Sequence, residues 1–129
     1  MKKIIFACVH NAGRSQMAAA FFNQLCDSEK MMAVSAGTEP ASFVHPVVLD
    51  AMKEIGIDLS SAKPQKLDVE LCKDATLLFT MGCKENCPYI PGLEIRDLPF
   101  PDPKGQSIED VRKTRDAIKA QVIKLVSEL

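Results

Sequence analysis

The stretch Lys3-Ile4-Ile5-Phe6-Ala7-Cys8-Val9-His10-Asn11-Ala12-Gly13-Arg14-Ser15 sets the reading of the whole chain. Residues 3–7 form a short apolar run of strand formers, and a polar loop containing glycine follows at once. From Ser15 the pattern turns helical: Met17, Phe21 and Leu25 recur at four-residue spacing, with Ala18, Phe22 and Cys26 beside them. The segment thus predicts a strand, a tight loop and a helix in immediate succession.

The same alternation continues outward. Met31–Ser35 reads as a second strand, stopped by Ala36-Gly37-Thr38. Pro46 suits the first turn of a second helix that runs through Ile55 and is ended by Gly56. Ala75–Thr80 reads as a third strand and Glu94–Leu98 as a fourth. The last helix carries the clearest signal. Ser107 with Asp110 three residues on suits a capping box, ahead of an apolar stripe at Val111, Ile118, Val122, Leu125 and Leu129. Its arginines and lysines are read as a solvated outer face. Strands alternating with helices predict an α/β fold, a parallel sheet covered on both faces, in one domain over residues 1–129.

Composition narrows the function classes. With 47% hydrophobic and 26% charged residues, the chain is near the globular average and is neither disordered nor a disulfide scaffold. Sixteen basic residues against seventeen acidic ones leave no basic excess for nucleic acid. No stretch approaches the roughly 18 apolar residues of a membrane span. The N-terminal apolar run, about six residues before His10, is shorter than a secretion-signal core. The chain is therefore expected to be cytoplasmic, where thiols stay reduced and cysteines serve catalysis or metal binding more often than structure; it is also expected to be a monomer. Five cysteines, an odd number, also fit no fully paired framework.

Ligands of parallel sheets bind at the carboxyl ends of strands, and the loop after Ala7 lies at such an end. Cys8 and Arg14 stand six positions apart across it. Residues Val9, His10, Asn11, Ala12, Gly13, Arg14 and Ser15 can curl around a tetrahedral oxyanion. Their backbone N–H groups then point inward, aided by the positive end of the helix dipole. Asn11 and Gly13 are residue types that tolerate positive φ. Arg14 can clamp two oxygens through its planar fork. The same field favours thiolate over thiol at Cys8, and Ser15 can donate a hydrogen bond to it. The competing reading, a buried strand-end cysteine beside an unrelated surface arginine, leaves the composition of the loop unexplained.

The Cys-x5-Arg-Ser segment, directly after the first strand, resembles the loop of the low-molecular-weight protein tyrosine phosphatase superfamily. The match runs on through Ser35-Ala36-Gly37, the helix ending at Gly56, the third strand and Pro101-Asp102-Pro103. The resemblance implies a four-stranded parallel sheet in the order 2-1-3-4 flanked by helices, a three-layer sandwich. It also implies that Asp102 is the general acid. Chemistry agrees, because an oxygen displaced by a thiolate needs a proton as it leaves.

Two further cysteines separate the branches of that superfamily. Cys83 and Cys87 lie in Met81–Gly92, after the third strand. Residues four apart on a helix have Cα atoms about 6.2 Å apart, at the upper end of the disulfide range of about 4.4–6.8 Å. Reducing arsenate to arsenite takes two electrons, and two thiols closing a disulfide release two. A phosphatase needs no second cysteine.

The sequence thus looks like the arsenate reductase branch. That resemblance implies that Cys8 attacks arsenate, for which phosphate or sulfate is a mimic, and that Asp102 protonates the departing oxygen. Cys83 then attacks Cys8, and Cys87 attacks Cys83. The final bridge is reduced by thioredoxin or another dithiol reductant. The spacing of Cys83 and Cys87 is shorter than in well-known thioredoxin-linked members. Some members hold a monovalent cation through an acid on the first helix; this chain has Ala19 there, so no metal or other cofactor is expected. Cys83, Cys87 and a histidine also lack the paired spacings of structural zinc.

Other readings compete. A tyrosine phosphatase acting through a Cys8 phosphocysteine would want aromatic walls, yet Lys104 and Gly105 follow Pro103 and the only tyrosine is Tyr89. A phosphocarrier would need neither Asp102 nor the Cys83–Cys87 pair, and a redox-sensing module would not need Arg14. Cys26 and Cys72 are read as core packing, His10 as pointing to solvent and His45 as a helix-entry residue.

Overall fold

The computed structural model describes residues 1–83 and 90–129. Along the chain lie β1 (Lys2–Cys8), α1 (Arg14–Leu25), β2 (Met31–Gly37), α2 (Pro46–Lys53), α3 (Val69–Cys72), β3 (Leu77–Thr80), β4 (Glu94–Asp97) and α4 (Ile108–Glu128). The strands form one sheet in the order β2-β1-β3-β4, every pairing parallel, as the resemblance implied.

β1 holds the centre because Ile4, Ile5, Phe6 and Ala7 are all fully buried. A strand with no polar side chain in that run can sit only where both faces are covered. Alternation then sorts the side chains. Ile4, Phe6 and Cys8 join one core with Met17, Phe21 and Phe22 of α1, Val48 and Met52 of α2, and Val111 and Ile118 of α4. Within it, Phe6 stacks on Phe79 at 5.1 Å between ring centroids. Ile5 and Ala7 face the other way, toward Ala36, Leu67, Cys72, Leu78 and Cys83. The sandwich is therefore uneven: three full helices pack on one face, while four-residue α3 and connecting segments lie on the other. Register aligns the carboxyl ends, with Ala7 opposite Ala36 and Thr80 and with Cys8 opposite Gly37.

Several boundaries differ from the sequence reading. α2 stops at Lys53, β2 continues to Gly37 and β3 begins only at Leu77. α3 carries no periodic signal. Its start is set locally by Asp68, whose side chain accepts from Leu71 N–H at 2.8 Å. Leu25, expected in the apolar stripe of α1, is exposed. On α4, Ser107 does cap the helix, accepting from Asp110 N–H at 3.2 Å. Arg115 departs from the solvated-face expectation. It is buried and donates to the Ala51 carbonyl at 2.8 Å and to Glu54 at 3.0 Å, fastening α4 to α2.

Candidate active site

The loop after β1 is anchored by its carbonyls. Those of Cys8, Val9, His10 and Ala12 accept from the N–H groups of Thr38, Glu39, Ala41 and His45 at 3.2, 2.8, 2.9 and 2.9 Å. All four donors lie in the connection between β2 and α2. In a trans peptide the C=O and the next N–H point in opposite directions. Carbonyls drawn outward therefore turn the following amides inward. Among the described residues, no backbone carbonyl accepts from the N–H groups of residues 9–14. Asn11 adopts φ +51°, as its residue type allows, whereas Gly13 has φ −147°.

A chain of side-chain hydrogen bonds leads to the sulfur. Asn11 Oδ1 accepts from the Gln65 amide at 2.9 Å and from Gln16 Nε2 at 3.3 Å, which fixes its amide orientation. Asn11 Nδ2 then donates to Ser15 Oγ at 2.7 Å, and Ser15 Oγ lies 2.9 Å from Cys8 Sγ. With one lone pair already accepting from Asn11, the hydroxyl can give its proton to the sulfur. Both Asn11 and Ser15 are fully buried, so these bonds are shielded from water. Gln16 and Gln65 were not singled out in the sequence; nothing short of the fold places Gln65 beside Asn11.

Arg14, the first residue of α1, is 7% exposed. Its Nη1 donates to the Phe100 carbonyl at 3.2 Å, and its Nη2 lies 3.7 Å from Asp102 Oδ2. Its buried Nε has no partner among the described residues, a donor suited to an anion. The guanidinium rests against Gly82, which has φ +99°; a Cβ there would stand 2.5 Å from Nη1. Only glycine allows both that backbone and that approach. Asp102 Oδ1 in turn accepts from Lys104 N–H at 3.0 Å, which orients the carboxylate.

The structure thus gathers Cys8, residues 9–15 and Asp102 in one place. Cys83 is buried in the core on the other face from Cys8 but directly follows Gly82, at the edge of the same site. Cys87 lies outside the described residues. His10 is half-buried, and its Nδ1 lies 3.0 Å from the Glu39 carbonyl in a solvent-exposed hydrogen bond. His45 does enter the helix, as the residue before α2. Burial holds its imidazole below the usual range, opposed by the nearby charge of Asp102 and supported by His10 and Lys104. Cys72 is buried as expected, and burial pushes its thiol up. Cys26 lies only at the core margin, its Sγ 3.5 Å from the Met31 carbonyl.

A sulfur at the base of a loop of inward amides, a buried guanidinium on its rim and a carboxyl beside that guanidinium can together hold a tetrahedral oxyanion and displace one of its oxygens. The fold that presents them is a phosphatase-like α/β sandwich. A family model for the low molecular weight phosphotyrosine protein phosphatases matches residues 3–129, and the chain belongs to that family.

The chain is similar to a putative arsenate reductase of Halobacterium salinarum, 37% identical over 132 residues that cover 98% of this chain and 92% of that protein. Its fold is similar to the thioredoxin-dependent arsenate reductase of Corynebacterium glutamicum, with a TM-score of 0.83 and 31% identity. That match covers 99% of this chain but 61% of the longer relative. The low molecular weight protein tyrosine phosphatase of T. tengcongensis superposes at a TM-score of 0.88 with 26% identity, over the full length of both chains.

Proposed function

We propose that this chain, acting as a monomeric single domain in the cytoplasm, reduces arsenate to arsenite by a cysteine relay. Cys8 thiolate attacks arsenic, and a hydroxide equivalent departs as water with the proton of Asp102. Arg14 and the amides of residues 9–15 hold the remaining oxygens. Cys83 thiolate then attacks the sulfur of Cys8. The S–As bond breaks and its electron pair stays on arsenic, so arsenic gains two electrons and the two sulfurs become a disulfide. Cys87 attacks Cys83 and frees Cys8, and thioredoxin or another dithiol reductant reduces the Cys83–Cys87 bridge by exchange.

The observation that carries this reading is the place of the second thiol. Cys83 follows directly on the glycine that packs against Arg14, so the second thiol is tethered to the edge of the oxyanion site although its side chain sits in the core on the other face of the sheet. The names of the similar proteins support the same substrate. A phosphatase reading shares Cys8, Arg14 and Asp102 but gives Cys83 no work.

A coupled assay separates the two. Arsenate should drive NADPH oxidation when thioredoxin and its reductase are present. Cys83→Ser should stop that turnover while leaving slow aryl-phosphate hydrolysis through Cys8. Full arsenate reduction by a variant carrying both Cys83→Ser and Cys87→Ser would sink the relay.

A further inference from the structure

Gly13 precedes α1 at the top of the loop, and its negative φ means that left-handed backbone is not what reserves the position for glycine. Space is. A Cβ at residue 13 would stand 2.5 Å from Cγ of Pro103, 3.3 Å from its Cδ and 3.6 Å from Cγ2 of Val48. Pro103 is itself buried, although Asp102 and Lys104 on either side of it are exposed. A buried proline between two exposed charged residues is an anchor point of its loop.

That loop has a second anchor. The Phe100 carbonyl accepts from Arg14 Nη1 at 3.2 Å. Asp102 is strung between the two, its Oδ1 held by Lys104 N–H at 3.0 Å and its Oδ2 left facing Arg14 at 3.7 Å. We infer that Pro103 seated on the bare Cα of Gly13 is a positioning pair that sets how the Asp102 carboxyl is held against Arg14 at the oxyanion loop. The inference rests on the proposed role of Asp102 as proton donor. A methyl group at residue 13 lifts the proline and the carboxyl with it. Loss of the proline ring removes the seat and lets the carboxyl wander. Neither residue touches the reacting atoms; each acts through Asp102.

The test uses arsenate turnover by Gly13→Ala, Pro103→Ala, the double variant and Asp102→Asn. A displacement of about 1 Å in a reacting group can cost on the order of a hundredfold. Each single variant is therefore expected to lower kcat between about tenfold and a hundredfold, with KM for arsenate in Pro103→Ala close to that of the parent. In the double variant the new methyl occupies the space left by Cγ and Cδ, so kcat should rise well above that of Gly13→Ala alone. Such non-additivity marks direct contact. Aryl-phosphate hydrolysis supplies a signature that mere structural damage would not: phenyl phosphate, whose leaving group needs a proton, should slow far more than dinitrophenyl phosphate.

Should Gly13→Ala not fold, Pro103→Ala still carries the comparison. Asp102→Asn without loss of kcat would remove the proton donor itself. Loss in Asp102→Asn but none in Pro103→Ala, or a double variant as slow as the product of the singles, would overturn the positioning pair alone.

Discussion

At the scale of single residues, the direction of one hydroxyl proton matters most. Ser15 Oγ receives Asn11 Nδ2 at 2.7 Å and stands 2.9 Å from Cys8 Sγ. Asn11 cannot turn its amide over without giving up the Gln65 amide on its Oδ1. With Asn11 on one lone pair of its oxygen, the Ser15 hydroxyl is placed to donate to the sulfur, a hydrogen bond whose net worth is about 1 kcal/mol. Ser15→Ala should slow the alkylation of Cys8 by iodoacetamide at neutral pH by about fivefold, since about 1 kcal/mol corresponds to that factor. Peptide-resolved mass spectrometry separates Cys8 from the other thiols. An unchanged rate would mean that the hydroxyl does not support the nucleophile. Phosphate should protect Cys8 in the parent protein by occupying the loop.

Among the elements, β2 is the strand on which the site leans. It lies at the edge of the sheet, so its outward backbone groups have no neighbouring strand. Asn23 of α1 takes the place of one: its Nδ2 donates to the Ala33 carbonyl at 2.9 Å, and its Oδ1 accepts from Ala33 N–H at 2.8 Å. The connection that leaves β2 supplies all four N–H groups that turn the loop carbonyls outward. Asn23→Ala should therefore cost about 1–2 kcal/mol, two part-buried hydrogen bonds at the net value of each. Urea denaturation should show a lower midpoint with the same slope. Phosphate binding should weaken as well, because the loop loses the rigidity of its support. A midpoint equal to that of the parent would show that water replaces the side chain at no cost.

For the whole molecule, what was readable in the sequence was local. β1, the loop and α1 form one continuous signal, because an apolar run buried on both faces must be short and the helix must start at once. Cys8, Arg14 and Ser15 follow from that signal alone. The partners that orient them do not, since Gln65 and Pro103 reach the loop from distant segments only after the sheet has assembled. Gly13 was readable as a glycine, but its φ is −147° rather than positive, and the closeness of Pro103 above it was not readable. α3 and the buried Arg115 escaped because four residues show no period and an arginine on a helix usually faces water.

The long-range ties also set how stability depends on pH. Arg112 first, then Arg115, hold the Glu54 carboxyl below its ordinary value of 4.5, and Lys3 does the same for Asp74 below 3.8. Carboxylates depressed in the folded state stabilise it above their unfolded values, and that stability is lost as pH falls through the folded ones. His45 has its imidazole depressed by burial from 6.5. It costs nothing while neutral in both states, and it begins to favour unfolding once pH drops below 6.5 and the unfolded chain takes the proton first. Urea midpoints measured from neutral to acid pH should therefore fall in two stages. The earlier, shallower stage starts near 6.5 and should vanish in His45→Gln. The steeper one starts near 4.5 and should shrink in Glu54→Gln. A first stage that survives His45→Gln would assign it to another group.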